Sequence, residues 1–349
     1  MKVLFIKPSS LGDVLHSFPS LALLRQNQPE AIVDWLIHPA FAPLLKYQGI
    51  RRAIPFDRKA LGNPLSFIPS FLGLWHELRE EDYDLVLDLQ GLFRSAFFAR
   101  AARSKRVAGF ASPRESMAKL FYRESYQVEA KYEHAVERNL ALTAAALKIP
   151  FSIPEITMAP VEEYAKNVAI LLQRHGVGNE SACIGIAPGA RWDSKRWPPD
   201  FFASVIDELS GISPEPCFLL LGAPSDRPLA EAIRQKVRKA KVFSLAGETG
   251  TGELVELTRR CSLLITNDSG PMHVAAALKT PLLALFGPTA PDRTGPFGDG
   301  KQSVFAPESL RCAPCLKKSC PQGTLLCQRA FIPSDIAEAA RGLMFLKNG

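Results

Sequence analysis

The segment KPSSLGD, residues 7–13, places small and charged residues between an apolar run and the first helix-like segment. Ser10 and Gly12 leave room for a ligand to approach the backbone closely. Asp13 is either a cap of the helix N-terminus, where Asp is a preferred residue, or a general base that the same N-terminus holds ionised. The segment matches neither the GxGxxG nor the GxxxxGK[ST] pattern, so it is not one of the common nucleotide-binding loops.

A second candidate, APGARWDSKRWP at residues 187–198, gathers three cations and two Trp residues after a predicted strand. Lys195 would supply a point charge and Arg191 a planar pair of donors, a combination that suits a diphosphate. The alternative is an exposed basic loop whose Trp side chains pack on the domain.

A third candidate is TNDSGPMH, residues 266–273, in which a strand leads into a helix with a polar first turn. The main-chain N–H groups of Ser269 and Gly270 would point at an anion, with the helix dipole behind them. Asp268 would accept a ribose hydroxyl or cap the helix, and His273 lies one turn further on. The alternative is an ordinary capped helix with a core histidine.

Two more strand ends in the same half of the chain are small and polar. They are GAPSD, which ends at Asp226, and FGPT, which contains Gly287 and Thr289. Four of the five predicted strand ends in this half therefore carry Gly and polar residues. Because the carboxyl ends of parallel strands meet at one edge of a sheet, this repetition predicts one continuous site of nucleotide size.

Four of the seven Cys residues follow the spacing C-x2-C-x4-C-x6-C. A structural zinc site needs four such ligands, and the leading C-x2-C is typical of one, although the later spacings are not those of a standard zinc finger. An iron–sulfur cluster and free or transiently paired thiols are the alternatives. The four residues are Cys312, Cys315, Cys320 and Cys327.

Positive charge is concentrated between Gly91 and Arg123, where eight basic residues accompany one acid, Glu115. The net charge of this stretch is +7, as large as the excess of the whole chain. Such a local field attracts an anionic ligand or surface, and the alternative is a solvated helix face. The basic residues are Arg94, Arg100, Arg103, Lys105, Arg106, Arg114, Lys119 and Arg123.

Short apolar runs must position these segments. They alternate with helix-like segments such as Val14–Gln26, which is typical of parallel sheets covered by helices on both faces and predicts an α/β fold. The predicted strands are Val3–Lys7, Ile32–Ile37, Ala53–Phe56, Leu85–Leu89, Val107–Phe110, Cys183–Ala187, Cys217–Leu221, Val242–Leu245, Leu263–Thr266 and Leu282–Phe286.

The length of 349 residues suggests two domains, at about 150 residues per domain. Ile149–Val161 contains three Pro residues and no helical period, so it is predicted to be a linker. We expect doubly wound domains at 1–160 and 161–332, the second containing the Cys-rich segment 312–327, that face each other across a ligand-binding cleft. The last segment, 333–349, is expected to form a helix that packs back on the first domain.

Several classes of protein are excluded. Apolar residues make up 47% of the chain and charged residues 22%, close to globular averages, which excludes a disordered or fibrous chain. The start, MKVLFIKPSS, has an apolar run too short for a signal peptide. No run of about 18 apolar residues occurs. We therefore expect a cytosolic protein.

Four segments resemble the ADP-heptose:lipopolysaccharide heptosyltransferases of glycosyltransferase family 9. They are SSLGDVLHSFPSL, APGARWDSKRWP, NDSGPMHVAAAL and FGPT. LDLQGLFRSA, RESMAKLFYR and HAVERNLAL make the first domain most similar to heptosyltransferase I, whereas the Cys-rich tail resembles that of heptosyltransferase II. The resemblance implies the GT-B fold, in which two Rossmann-like domains face each other, with the acceptor bound by the first and the ADP-sugar by the second.

The resemblance also implies roles for individual residues. Asp13 matches the proposed catalytic base, and Lys195 matches a donor-contacting lysine. Asp226 lies near a family Glu that holds the ribose, although the residue differs. The other donor-binding residues expected are Arg191, Asp268, Ser269, Gly270, His273, Gly287 and Thr289. The acceptor-binding residues expected are Ser10, Gly12, Arg94, Arg114 and Arg123.

The implied reaction is an inverting transfer of heptose from ADP-L-glycero-D-manno-heptose to the Kdo/heptose inner core of lipopolysaccharide. It would need no cofactor besides the donor substrate and no catalytic metal. The implied partners are an anionic glycolipid, Kdo–lipid A or heptosylated core, and the inner-membrane surface on which the protein would lie peripherally; no nucleic acid is expected.

Other interpretations stay open at this point. A different family-9 or GT-B sugar-nucleotide enzyme, such as an epimerase, would keep the architecture and change the donor or acceptor. A nucleic-acid-binding protein would use the basic stretch and the isoelectric point of about 9.0, but no binding module or aromatic ladder accompanies that stretch. A non-catalytic binding protein is the third alternative.

Overall fold

The computed structural model describes residues 1–178, 181–212, 215–307 and 310–345. The chain divides into two compact units after Met158, close to the predicted boundary at residue 160. Each unit has one six-stranded sheet with helices between its strands. Among the described residues, no helix combines the length and the apolar composition that crossing a membrane requires.

Six strands of the first unit form a sheet in the order β3-β2-β1-β5-β7-β8, and every neighbouring pair is parallel. Two shorter strands, β4 and β6, pair separately. The strands are β1 (Lys2–Ile6), β2 (Ile32–Ile37), β3 (Arg52–Pro55), β4 (Asp82–Tyr83), β5 (Leu85–Asp88), β6 (Arg103–Ser104), β7 (Val107–Phe110) and β8 (Glu124–Tyr126).

Five α-helices and three 3-10 helices connect these strands. The predicted helix over Val14–Gln26 is wrong in one respect: the structure has two helices there, because Pro19 lies in the first turn of the second one and would disrupt a helix interior. The α-helices are α1 (Leu11–Leu15), α2 (Phe18–Asn27), α3 (Phe67–Arg79), α4 (Phe93–Ala101) and α5 (Ala135–Leu147). The 3-10 helices are Pro39–Gln48, Ala60–Gly62 and Ser116–Phe121.

The second unit repeats this architecture. Its sheet has the order β11-β10-β9-β12-β13-β14, again with parallel neighbours. The strands are β9 (Cys183–Ala187), β10 (Cys217–Leu220), β11 (Val242–Ser244), β12 (Leu263–Asn267), β13 (Leu282–Leu285) and β14 (Gln302–Phe305). Alternate residues of β9 enter two cores, Ile184 and Ile186 on one face and Cys183 and Ala187 on the other.

Among the described residues of this unit there are eight α-helices, together with the 3-10 helices Asp193–Lys195 and Pro224–Asp226. The α-helices are α6 (Glu162–Arg174), α7 (Pro199–Leu209), α8 (Arg227–Arg234), α9 (Thr251–Arg260), α10 (Gly270–Leu278), α11 (Pro291–Thr294), α12 (Leu326–Arg329) and α13 (Pro333–Phe345).

The packing of α13 corrects the expectation that this helix lies on the first domain. Its buried residues Ile336, Ala340 and Leu343 belong to a core of the second unit, together with Phe202 of α7 and Leu283 of β13. The apolar stripe of α13 is therefore buried within its own unit. The predicted residues 346–349 at its end lie outside the described residues.

Each sheet reverses its strand order at one point, and ligands of doubly wound folds bind outside the strand ends there. In the first unit the reversal lies between β1 and β5, and in the second between β9 and β12. Asp13, Lys195 and Asp268 lie in the loops or first helical turns that follow three of these four strands, β1, β9 and β12.

Candidate active site

The carboxylate of Asp13 lies in the first turn of α1, after β1. Its Oδ2 accepts hydrogen bonds from the backbone N–H of Ser10 at 2.7 Å and from the Ser10 hydroxyl at 2.8 Å. Ser10 is the N-cap residue and Asp13 is the third residue of the helix, so the capping interpretation of Asp13 is correct for one of its oxygens. The side chain is 35% exposed, which leaves the carboxylate accessible to a substrate.

Lys7 accompanies Asp13 and was not singled out by the sequence analysis. Its Nζ lies 3.8 Å from Asp13 Oδ1 and donates a 2.6 Å hydrogen bond to the carbonyl of Leu89, beyond β5. Burial lowers the pKa of Lys7, the charge of Arg114 lowers it further, and the charges of Asp13 and Asp88 oppose both effects. The sequence signal for Lys7 was its place at the end of a buried apolar run, because a buried cation needs a partner.

Asp88 ends β5 and is the second residue that the sequence analysis missed. It is fully buried, and burial raises its pKa although several hydrogen bonds oppose this shift. Its Oδ2 accepts from the Tyr122 hydroxyl at 2.8 Å and from Ser95 Oγ at 2.9 Å, and its Oδ1 accepts from the N–H of Gln90 at 2.8 Å. Asp88 therefore fixes the loop after β5 to the chain around Tyr122.

Arg114 is held to the chain after β5 by one backbone and one side-chain contact of its neighbour Glu115. The N–H of Glu115 donates to the carbonyl of Gly91 at 3.0 Å, and the Glu115 carboxylate accepts from the N–H of Phe93 at 2.6 Å. Because the charge of Arg114 contributes to the lowered pKa of Lys7, the structure places this predicted acceptor residue in the electrostatic environment of the Asp13 site.

The other members of the basic stretch divide into two groups. Arg103 pairs with Asp82 at 2.8 Å and Arg106 pairs with Glu124 at 2.8 Å, so two charges are neutralised by acids outside the stretch that was counted. The other six are exposed and form no ion pair within the part of the chain that the structure describes. They are Arg94, Arg100, Lys105, Arg114, Lys119 and Arg123.

Three predicted donor residues meet at the strand reversal of the second unit. Lys195 Nζ lies 2.5 Å from Asp268 Oδ2, and the Thr289 hydroxyl donates to the same oxygen at 2.6 Å. The Trp192 ring lies 4.8 Å from Lys195 Nζ, in a cation–π contact. Asp268 is not the cap of α10, because Ser269 occupies the N-cap position.

Asn267 connects the loops of β9 and β12, a role that the sequence analysis did not assign. Its side chain is fully buried. Its Nδ2 donates to the carbonyl of Pro188 at 2.6 Å, and its Oδ1 accepts from the N–H of Trp197 at 3.2 Å. The loop that carries Lys195 is thereby fixed to the strand that carries Asp268.

Asp226 lies beside the same loop. Its carboxylate accepts from the N–H of Ala223 at 2.9 Å. A Cβ at Gly189 would collide with the carboxylate of Asp226, and one at Gly222 would lie 2.8 Å from its Cβ. Only glycine at these two positions lets Asp226 approach the ends of β9 and β10.

The remaining predicted donor residues surround this group. Ser269 and Gly270 begin α10, and His273 is buried one turn further on. Gly287 follows β13, where a Cβ would collide with the side chain of Gln328. Arg191 is exposed in the loop after β9 and has no ion-pair partner among the described residues.

The Cys-rich segment contacts the residue next to Lys195. The Ser194 hydroxyl lies 2.6 Å from the carbonyl oxygen of Lys317 and 3.0 Å from that of Lys318, and Gln328 Nε2 donates to the Ser194 carbonyl at 3.0 Å. Ser194 and Gln328 are both buried. The segment therefore supports the loop that presents Lys195.

The thiols of this segment were candidate zinc ligands. Within the described ranges, no group of three or more His, Cys, Asp or Glu side chains is arranged to hold a metal ion. Cys320 instead receives backbone N–H groups, foremost that of Leu325, which lower the pKa of its thiol. The arrangement thus gives the structural zinc alternative no support.

The profile of "Glycosyltransferase family 9 (heptosyltransferase)" matches residues 71–326. Lipopolysaccharide heptosyltransferase 1 of Pseudomonas aeruginosa is 34% identical over 336 residues, which cover 92% of this chain and 87% of the relative. Lipooligosaccharide heptosyltransferase 2 of Haemophilus influenzae is 31% identical over 313 residues, which cover 86% and 87%.

Among solved structures, the Escherichia coli ADP-heptose lipopolysaccharide heptosyltransferase II matches all of both chains, with a TM-score of 0.82 and 27% identity. The two doubly wound units and this match define a glycosyltransferase of the GT-B fold. The chain belongs to glycosyltransferase family 9, the heptosyltransferase family.

Proposed function

We propose that this protein is an inverting heptosyltransferase that moves heptose from ADP-L-glycero-D-manno-heptose to the Kdo/heptose inner core of lipopolysaccharide. The observation that carries the proposal is the cluster of Lys195, Asp268 and Thr289 at the strand reversal of the second unit. It occurs in a chain that is 27% identical along its full length to an ADP-heptose lipopolysaccharide heptosyltransferase.

In the proposed mechanism, the second unit holds the leaving group. Negative charge grows on the ADP as the bond to the anomeric carbon breaks. Lys195, Arg191 and the N–H groups at the start of α10 would stabilise that charge, and preorganised donors are most effective at such a position. Asp268 and Asp226 would accept hydrogen bonds from the ribose hydroxyls. Asp268 would give up its contact with Lys195 when the nucleotide binds.

The first unit would supply the base. Asp13 would take the proton of the acceptor hydroxyl while the oxygen attacks the anomeric carbon, so one displacement inverts the configuration. ADP is already a good leaving group, which removes the need for the strong general acid of glycosidases. Lys7 lies 3.8 Å from Asp13 and favours the ionised carboxylate that this role requires.

The acceptor would be recognised by charge. The charge of Arg114 acts on Lys7, which lies beside Asp13, and Arg94 and Arg123 are exposed on the same unit. Guanidinium groups bind carboxylates and phosphates with paired hydrogen bonds, which suits the anionic sugars and phosphates of an inner-core glycolipid. Ser10 and Gly12 would lie beside the attacked hydroxyl.

A thermal-shift panel of ADP-heptose, UDP-sugars and GDP-sugars tests the donor. A ligand at a hundred times its Kd stabilises the native state by about 2.7 kcal/mol, and only ADP-heptose should do so. Lys195→Gln should reduce the shift, since it removes a charge-assisted contact, whereas the exposed Lys236→Gln in α8's C-terminal flank should not. A response to UDP-sugars alone would contradict the heptose assignment.

A further inference from the structure

Seven large apolar side chains of the first unit are exposed along the start of α3, the start of α4 and the 3-10 helix Ser116–Phe121. Leu65 is 92% exposed and Leu120 is 77% exposed. Contiguous apolar surface of this kind marks an interaction site. We call it the apolar patch, and its members are Leu65, Phe67, Ile68, Leu72, Phe93, Met117 and Leu120.

A series of ring contacts joins the three segments of the apolar patch. Phe67 stacks on Phe71 within α3 at a centroid distance of 5.7 Å, and Phe71 contacts Phe97 of α4 at 6.2 Å. Phe97 contacts Phe121 at 5.8 Å, and Phe121 contacts Phe93 at 5.2 Å. The exposed side chains therefore stand on one continuous aromatic layer.

Basic side chains are interleaved with the apolar patch. Lys119 lies between Met117 and Leu120 in the chain, and Arg94 follows Phe93. The turn before α3 adds Arg58 and Lys59, and this turn is tied to α3 by a 2.9 Å hydrogen bond from the Ser66 hydroxyl to the Ala60 carbonyl. The exposed basic residues around the patch are Arg58, Lys59, Arg94, Arg114, Lys119 and Arg123.

The nearby acids Asp57 and Glu115 offset only two of these six charges. Asp57 accepts the backbone N–H groups of Lys59 and Ala60 at 2.8 Å and 3.2 Å, and Glu115 accepts the N–H of Phe93. None of the six basic side chains forms an ion pair within residues that the structure describes. The surface is thus apolar at its centre and cationic between and around its apolar members.

We propose that the apolar patch is a docking surface for an anionic lipid bilayer. A bilayer interface accepts apolar side chains at the level of the acyl chains, while anionic headgroups attract the surrounding lysines and arginines. The combination of both features selects this occupant. A second copy of the chain would bring six like charges against six others, which disfavours self-association through this face.

The inference deepens the proposed function and rests on it for one point, namely that a glycolipid acceptor is presented in a bilayer. Binding of vesicles needs neither the donor nor the acceptor. A full-length protein that binds anionic vesicles but transfers no heptose would refute only the proposed function. One that transfers heptose to a delipidated acceptor fragment but ignores vesicles would refute only the docking surface.

The experiment is flotation of the full-length protein with vesicles of phosphatidylcholine alone and of phosphatidylcholine with phosphatidylglycerol. We expect binding to the anionic vesicles, weakened at high salt because the Debye length shortens. Met117→Ser with Leu120→Ser, and separately Leu65→Ser with Ile68→Ser, should each weaken binding on the order of tenfold. The matched control is Ile153→Ser with Ile170→Ser, whose side chains are 53% and 56% exposed outside the patch.

A charge variant separates the two contributions. Lys119→Glu should weaken binding on the order of tenfold, and Lys236→Glu, an equal change on the second unit, should not. Equal binding by patch and control variants would overturn the proposal, as would the absence of binding to anionic vesicles. Dimerisation that the patch substitutions abolish, without vesicle binding, would assign the surface to a second copy instead.

Discussion

At the scale of single residues, the carboxylate of Asp13 combines a structural contact with an exposed position. Its Oδ2 satisfies the N–H of Ser10, while its side chain is 35% exposed beside Lys7. Capping occupies Oδ2 and leaves Oδ1 to accept a proton, so the two interpretations of this residue are compatible. What distinguishes them is the consequence of removing the charge while the shape is kept.

Asp13→Asn makes that change. The amide oxygen still accepts from Ser10, so capping costs less than about 1 kcal/mol, whereas loss of the base should lower kcat by about 10²–10⁴-fold. Donor affinity should be unchanged, as measured by calorimetric titration with ADP. The control is Asp200→Asn, which removes a first-turn carboxylate from α7. Normal turnover by Asp13→Asn would reduce Asp13 to a cap.

Lys7 allows a test by pH. The attraction between Lys7 and Asp13 is reciprocal, since the charge of Asp13 opposes the lowering of the Lys7 pKa. Removing the cation in Lys7→Met takes away a partner that favours the carboxylate, so the acid limb of the pH–rate profile should move upward by about one pH unit. Met fills a similar buried volume. Lys2→Met, at the start of β1 and in a surface ion pair with Glu81, should leave the profile unchanged. A lower rate without a moved acid limb would show that Lys7 has a structural role only.

At the scale of elements, the Cys-rich segment acts as a support for the donor loop. Gln328 is fully buried, and its amide donates to the carbonyl of Ser194, the residue before Lys195. Gly287 leaves room for Gln328, because a Cβ at position 287 would collide with the Gln328 side chain. The Cys-rich segment and the adjoining Gln328 thus support the loop of Lys195 through two backbone carbonyls and one glutamine side chain.

Gln328→Ala tests this support. It leaves a buried carbonyl without its donor, at a cost of about 1–3 kcal/mol, and frees the loop that presents Lys195. The KM for the ADP-sugar should rise more than the KM for the acceptor, as steady-state kinetics would measure. Gln322→Ala, on an exposed residue of the same segment, is the control. A lowered melting temperature with both KM values unchanged would show that Gln328 serves stability alone.

The strands illustrate what could be predicted from the sequence. All ten predicted strands are present with ends shifted by at most one residue. Eight of them are internal strands buried on both faces, which requires a continuous apolar run; the other two, β3 and β11, are edge strands. The missed strands β8 and β14 lie at sheet edges and are only half-buried, so they lack such a run. The shortest pair, β4 and β6, has two residues in each strand.

The candidate site was predictable where its residues are contiguous in sequence. The segments around Asp13, Lys195 and Asp268 each follow a strand, and the sheet order brings the last two together. The missed contacts join distant segments: Lys7 reaches Leu89 across 82 positions, and Gln328 reaches Ser194 across 134. Such pairs depend on tertiary packing, which no local pattern encodes.

At the scale of the whole molecule, the position of the charges matters more than their sum. The net charge of +7 equals that of residues 91–123, yet Arg103 and Arg106 are neutralised there by Asp82 and Glu124. The six cations that remain are exposed on the first unit. Under the proposed function, a field from this surface would steer the anionic acceptor to the first unit.

Neutralising part of this surface should therefore separate the two substrates. Arg114→Gln with Arg123→Gln is expected to raise the acceptor KM by about tenfold, because it removes two exposed charge contacts of up to about 1 kcal/mol each, and to leave the donor KM within about twofold. Steady-state kinetics at two salt concentrations would show a weaker salt dependence for the acceptor, because fewer charges attract it.

Arg238→Gln with Lys241→Gln makes the same change of net charge on exposed residues of the second unit. Equal effects of the two double variants on the acceptor KM would mean that only the total charge matters, and equal effects of the first variant on donor and acceptor would return the basic stretch to a solvated surface.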